Sequence, residues 1–159
     1  MSSPEDLMYR RANFATRLPA GRLYSPSHAW LAPDTRSGRR RWRVGFTKFA
    51  LRMLGELVEL QFQKKPGDPV ELGDVLGSVE GFKALSDIYC VGEGAFVGGN
   101  PTLTAGLRCV DRDPYETGWV YEFDGEPDRR SLDVNGYRAF LDDTIDRLLA
   151  RQKQEEQAL

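Results

Sequence analysis

Metal and disulfide chemistry have almost no raw material in this chain. Among 159 residues there are two cysteines, Cys90 and Cys109, and a single histidine, His28. The cysteines are far apart and form no CxxC or metal-ligand pattern, so a Cys/His zinc site is not expected. Free thiols in a reducing compartment are expected. One histidine without a partner pattern gives no support to Ser-His-Asp catalysis. Long apolar runs are missing as well, and none approaches the ~20 residues of a bilayer-spanning helix. The opening stretch MSSPEDLMYRRANFATRLPAGRLY has no uninterrupted apolar core, and its Glu5 and Asp6 do not suit an acid-poor transit peptide. A cytoplasmic protein without membrane contact is expected.

What is present is an uneven charge. Residues 1–53 hold 11 Lys and Arg against 3 Asp and Glu, whereas residues 111–159 hold 7 against 13. The run Arg39-Arg40-Arg41, with Trp42 and Arg43 after it, has the composition of a nucleic-acid patch. No nucleic-acid motif accompanies it, so no such partner is expected. A hairpin with solvated arginines, or a docking patch for an acidic partner, accounts for it equally well.

Residues 1–22, punctuated by Pro4, Pro19 and Gly21, read as a loosely ordered arm. Residues 23–125 read as a β domain. HAWLAPDTRSGRRRWRVGF suggests two strands around a polar loop. TKFALRMLG suggests a short helix capped by Thr47, ended by Gly55, with Phe49, Ala50, Met53 and Leu54 on one side. ELVELQF reads as a buried strand, the paired PGD and LGD segments as turns, and WVYEF as the last strand. Short strands at regular spacing indicate a small antiparallel sandwich or flattened barrel. Residues 126–159 read as a helix packed on that domain. Asp133 is its N-cap, Val134, Tyr137, Phe140, Leu141, Ile145, Leu148 and Leu149 form its stripe, and its end frays past Arg151.

One lysine stands apart. Lys64 and Lys65 sit in a polar turn, but Lys83 lies in GSVEGFKALSDIYCVGEG, with strand-forming residues on both sides. Most lysines in turns only aid solubility. Here Gly81 suggests a tight bend at the sheet end, from which the amine projects outward on a rigid mount.

VEGFKALSDIY resembles the lipoyl-attachment hairpin of the glycine cleavage system H-protein family. HAW at 28–30, VGFTKFALRMLGELVELQF at 44–62, PGDPVELGD at 66–74, NPTL at 100–103 and DPYETGW at 113–119 continue the likeness in order. The resemblance implies a mainly β, lipoyl-type hybrid barrel-sandwich with one short internal helix and a C-terminal helix. It implies lipoate amide-linked to Lys83 as a swinging arm, on a carrier that is not itself an enzyme. Glu80 and Asp87 match acidic residues of the family hairpin. They are candidates for recognition by a lipoate-protein ligase or lipoyl transferase, and turn capping accounts for them equally.

Ser27, His28, Phe82 and Cys90 are candidate contacts of the arm. His28 also reads as a structural neighbour of Trp30, and Cys90 as a small buried hydrophobe. Tyr115 and Trp119 read as core or loop-anchoring aromatics. The default cargo is an aminomethyl group, passed between the P, T and L proteins of glycine cleavage: a pyridoxal-phosphate decarboxylase, a folate-dependent transferase and a flavoprotein. Members usually have His-Glu-Trp where this chain has His28-Ala29-Trp30, and Ser-Val where it has Gly81-Phe82. The missing glutamate suits an H-like lipoate-binding protein that carries sulfur for a heterodisulfide-reductase-like complex in sulfur oxidation. An unmodified interaction module on the same fold is a third reading.

Overall fold

The structure, a computed structural model, describes residues 5–37 and 40–158. Gly38 and Arg39, at the tip of the arginine-rich loop, lie outside the described residues, as do residues 1–4 and 159. The chain runs through β1 (Leu7–Arg11), β2 (Phe14–Leu18), β3 (Leu23–Tyr24), β4 (Ala29–Asp34), β5 (Arg41–Phe46) and α1 (Lys48–Leu54). It continues through β6 (Leu57–Phe62), β7 (Pro69–Val70), β8 (Val75–Gly81), β9 (Leu85–Tyr89) and β10 (Gly92–Gly99). After these come α2 (Arg108–Arg112), β11 (Tyr121–Pro127) and α3 (Val134–Ala158).

Two antiparallel sheets make the barrel-sandwich. One has the order β3-β4-β5-β11-β10-β7, the other β6-β8-β9. Between them lies the main core, where Leu31, Val44, Phe96 and Phe123 meet Leu76, Val79 and Ile88. Strand alternation sends neighbours to opposite faces. Leu31 enters this core while Trp30 enters a second cluster on the far side of the larger sheet. There the Trp30 indole N–H donates to Pro114 O at 2.9 Å.

The PGD and LGD segments fold into matching turns. Asp68 N bonds Lys65 O at 3.0 Å and Asp74 N bonds Glu71 O at 3.0 Å. Each aspartate then accepts from the first residue of its turn, at 2.8 Å. Gly67 and Gly73, with φ of 93° and 85°, hold the left-handed position such turns require.

Four expectations need correction. Residues 7–18 are not a loose arm but the β1–β2 hairpin, because Tyr9, Phe14 and Leu18 bury against α3 and Phe49 in the second cluster. β6 is only half buried, since it edges the small sheet and leaves Val58 50% exposed. α1 has no single apolar stripe: Phe49 faces the second cluster, Leu51 and Leu54 face the first, and Met53 is half exposed. α3 does not fray at Arg151 but continues to Ala158, through exposed Gln, Lys, Glu and Ala residues of high helix propensity. A further short helix, α2, carried no signal that was read from the sequence. Thr47 and Asp133 do cap α1 and α3, accepting from Ala50 N at 3.3 Å and Gly136 N at 2.7 Å.

No described helix is long and apolar enough to cross a membrane. The described arginines around the β4–β5 loop are engaged within the chain. Arg41 pairs with Asp124, Arg43 with Glu122, Arg36 with Asp34 and Arg40 with Glu126. Apart from Asp34, these carboxylates come from the acidic later part of the sequence.

Candidate functional site

Lys83 occupies the turn between β8 and β9, with its side chain exposed. The turn closes through Gly81 N to Ala84 O at 2.9 Å. Its remaining amides reach across to the last residue of α1 and to the chain just past it. Phe82 N donates to Glu56 O at 3.0 Å, Lys83 N to Leu54 O at 2.9 Å, and Ala84 N to Leu54 O at 3.3 Å. A carbonyl left without a helical partner at the C-terminus of α1 is satisfied by the lysine turn, and the turn is fixed in place by it.

Two glycines permit this approach. A Cβ at Gly81 would stand 2.1 Å from Leu54 O. At Gly55, where φ is 76°, a Cβ would stand 3.0 Å from both the amide and the Cγ of Lys83. Gly81 therefore marks a bend, as the sequence suggested. The reason is the helix end pressed against it, which the sequence did not reveal.

Two depressions flank the turn. The wider, about 930 Å³, runs between α1, α2 and β6 with Lys83 at its rim, and is lined by Lys48, Arg52, Arg108 and Arg112 beside Glu56 and Asp111. The narrower, about 300 Å³, begins at Ala84 and is largely apolar, with Phe46, Met53, Ile88 and Tyr89 in its wall. Ser27, His28 and Asp87 also line it, so three residues singled out from the sequence converge there.

Glu80 and Asp87 are both exposed on the β8–β9 hairpin, Glu80 opposite Leu85 and Asp87 opposite Ser78. Phe82 is 78% exposed beside the lysine. Cys90 is elsewhere. It follows the end of β9 that pairs with Val75, away from the turn, and is buried with its thiol donating to Gly92 O at 3.1 Å. Burial pushes that thiol up to about 11, so it stays protonated and is not presented to the groove. Tyr115 and Trp119 are buried in the second cluster.

His28 is held by a closed hydrogen-bond circuit. The Tyr137 hydroxyl donates to Thr47 Oγ1 at 3.1 Å, and the Thr47 hydroxyl donates to His28 O at 3.0 Å. The Tyr137 oxygen lies 2.8 Å from His28 Nδ1 and, its own proton committed, accepts there, which places the imidazole proton on Nδ1. The ring also lies against Phe49 and Phe140. Burial lowers the His28 pKa to about 4, so the ring is neutral near pH 7. The circuit holds His28 at a φ of 68°, uncommon for a residue other than glycine.

Residues 22–136 match the family model of the glycine cleavage H-protein. A glycine cleavage system H protein of Corynebacterium jeikeium is 33% identical over 124 residues, covering 78% of this chain and 97% of that protein. That of Photorhabdus laumondii is 32% identical over 131 residues, covering 80% and 98%. A crystal structure of a glycine cleavage system H protein from Mycobacterium marinum superposes with a TM-score of 0.67 at 30% identity, covering 77% of this chain and 97% of its own. The chain belongs to the glycine cleavage H-protein family, whose members are lipoyl carriers.

Proposed function

We propose that Lys83 is the lipoylation site of this chain, and that the protein carries a group on that arm between partner enzymes without breaking bonds itself. The observation that carries this reading is the mount. An exposed amine stands at a two-stranded turn whose backbone is tied by two hydrogen bonds to Leu54 at the end of α1 and by a third to Glu56 just past it. Among the described residues Lys83 makes no ion pair, so acylation forfeits no internal contact of its charge. Attached lipoate would supply a dithiolane whose S–S bond can be opened by an incoming group, leaving that group on one sulfur and a thiol on the other.

The residues present fit such an arm. The groove starting at Ala84 is apolar and, at about 300 Å³, matches the lower end of small-molecule sites. Its Phe46, Met53 and Ile88 surfaces can cover a hydrocarbon chain and exclude water, while Ser27 and Asp87 offer polar contacts. Glu80 and Asp87, exposed on the hairpin, are available to a lipoate-protein ligase or lipoyl transferase that must recognise the folded turn.

Family membership makes an aminomethyl group the first cargo to test, with the P, T and L proteins as partners in the cytoplasm. The test is reconstitution with those three enzymes. Glycine decarboxylation that requires the lipoylated chain, and is absent with Lys83→Arg, supports the reading. Turnover without a loaded lysine overturns the reading, and none with a fully loaded chain removes the aminomethyl group as its cargo.

One observation favours a second cargo. The groove wall at residues 27–29 carries no charge, since Ala29 has no carboxylate and His28 is neutral. Asp87 is the one carboxylate lining the groove among the described residues. A sulfur-bearing cargo bound to a dithiol needs no compensating anion, which suits a sulfur-relay complex of the heterodisulfide-reductase type.

A further inference from the structure

The segment matched by the family model ends at residue 136 and begins at residue 22, so the β1–β2 hairpin and nearly all of α3 lie outside it. We infer that the β1–β2 hairpin is a positioning element for the Lys83 turn, acting through α1. The purpose of that positioning rests on the carrier reading above, whereas its mechanics rest on contacts alone.

α1 is gripped at both ends. At its C-terminal end Leu54 O accepts from the amides of Lys83 and Ala84. At its N-terminal end and outer face it meets the hairpin. Phe14 stands edge-on to Phe49, with ring centroids 5.7 Å apart and planes at 90°. The Arg52 guanidinium lies 5.7 Å above the Phe14 ring and donates to Asn13 O and Asn13 Oδ1, each at 3.3 Å.

The hairpin is in turn anchored on α3. The Tyr9 hydroxyl donates to Asp142 at 2.8 Å, and Arg11 makes a two-point pair with Asp146 at 2.9 and 2.8 Å. It is therefore a wedge, seated on α3 and bearing on α1.

The consequence follows from rigidity. Phe49, Ala50 and Met53 of α1 form part of the apolar groove, and Leu54 holds the lysine turn. A shift of α1 moves the anchor of the arm and the wall of its resting groove together. Phe49 sits at the junction, with Phe14 at its edge and the His28 ring 4.6 Å away. Packed side chains of this kind transmit displacement because interiors yield little.

The test uses the full, unlipoylated chain and amide hydrogen exchange. The variants are Phe14→Leu, Arg52→Ala, Arg52→Lys and, as a control for general destabilisation, Val70→Ala in the short edge strand β7. The proposal expects the Lys83 and Ala84 amides to exchange about three- to tenfold faster in Phe14→Leu and Arg52→Ala, the range a lost aromatic or cation–ring contact gives when opening is local. Arg52→Lys should recover part of the protection. Val70→Ala should leave these two amides unchanged relative to the other core amides.

Unaltered Lys83 and Ala84 exchange in both Phe14→Leu and Arg52→Ala would overturn the proposal. So would a rise at these amides that merely tracks the global loss, matching Val70→Ala. The measurement needs no cofactor, so it stands apart from the carrier reading. A native chain that refuses lipoate would sink that reading and leave the exchange result intact.

Discussion

The backbone amide of Lys83 donates to the carbonyl of Leu54 at 2.9 Å, so the residue proposed to carry the arm is bonded directly to the end of a helix. A lysine on a free hairpin would sample many directions. This one has its backbone fixed and only its side chain at liberty, and a partner enzyme therefore meets the amine at a constant place on a rigid surface.

Gly81→Ser tests that attachment. A serine brings a Cβ, which here would lie 2.1 Å from Leu54 O. Backbone cannot yield as a side-chain tip does, so the turn must lift from α1. We expect a loss of about 1–3 kcal/mol in urea unfolding, the range of overpacked interiors. The same variant should lose protection at the Lys83 amide.

The His28 circuit predicts a pH dependence. Its pKa falls from 6.5 in the unfolded chain to about 4 in the folded one, because burial penalises the charged ring. The unfolded chain thus binds the proton first, and the stability contributed by the neutral ring is present above pH 6.5 and lost as pH falls toward 4. The loss is on the order of 1–3 kcal/mol. His28→Asn tolerates the positive φ and does not titrate there. Its unfolding free energy should be flatter than the native chain's between pH 6.5 and 4, and parallel curves would contradict the assignment.

Tyr137→Phe opens the same circuit without removing the ring. It leaves His28 Nδ1 and Thr47 Oγ1 each short of a partner in a buried setting. The expected loss is about 1–3 kcal/mol by denaturant titration. A neutral effect would mean that water replaces the hydroxyl.

Ala29→Glu bears on the cargo. A carboxylate placed in the groove wall should favour a cation on the arm. The aminomethyl-loaded chain should then hydrolyse severalfold more slowly than the native one, as read by its decay at neutral pH. Equal decay would remove charge at this position as the determinant.

Much of this was open to reading from residues. The alternating strands, the twin Gly-Asp turns, the Thr47 and Asp133 caps and the exposed Lys83 all depend on short-range chemistry. What escaped was long-range. The β1–β2 hairpin hid behind Pro4, Pro19 and Gly21, although Tyr9, Phe14 and Leu18 supplied its buried positions. The tie between Lys83 and Leu54 joins main-chain atoms far apart in sequence, and main-chain atoms leave no mark on residue type. Gly55 and Gly81 were the available signal, legible as turn residues but not as a contact. Cys90 is buried, as its reading as a small hydrophobe expected, and nearness in sequence to the lysine hairpin did not bring its thiol to the groove.

The most direct measurement is mass mapping of the folded chain after incubation with lipoate, ATP and a lipoate-protein ligase. The account predicts one lipoyl group, confined to the peptide that contains Lys83 and missing from Lys83→Arg. An unmodified native chain, or a lipoyl group found on Lys48, Lys64 or Lys65 instead, would contradict it.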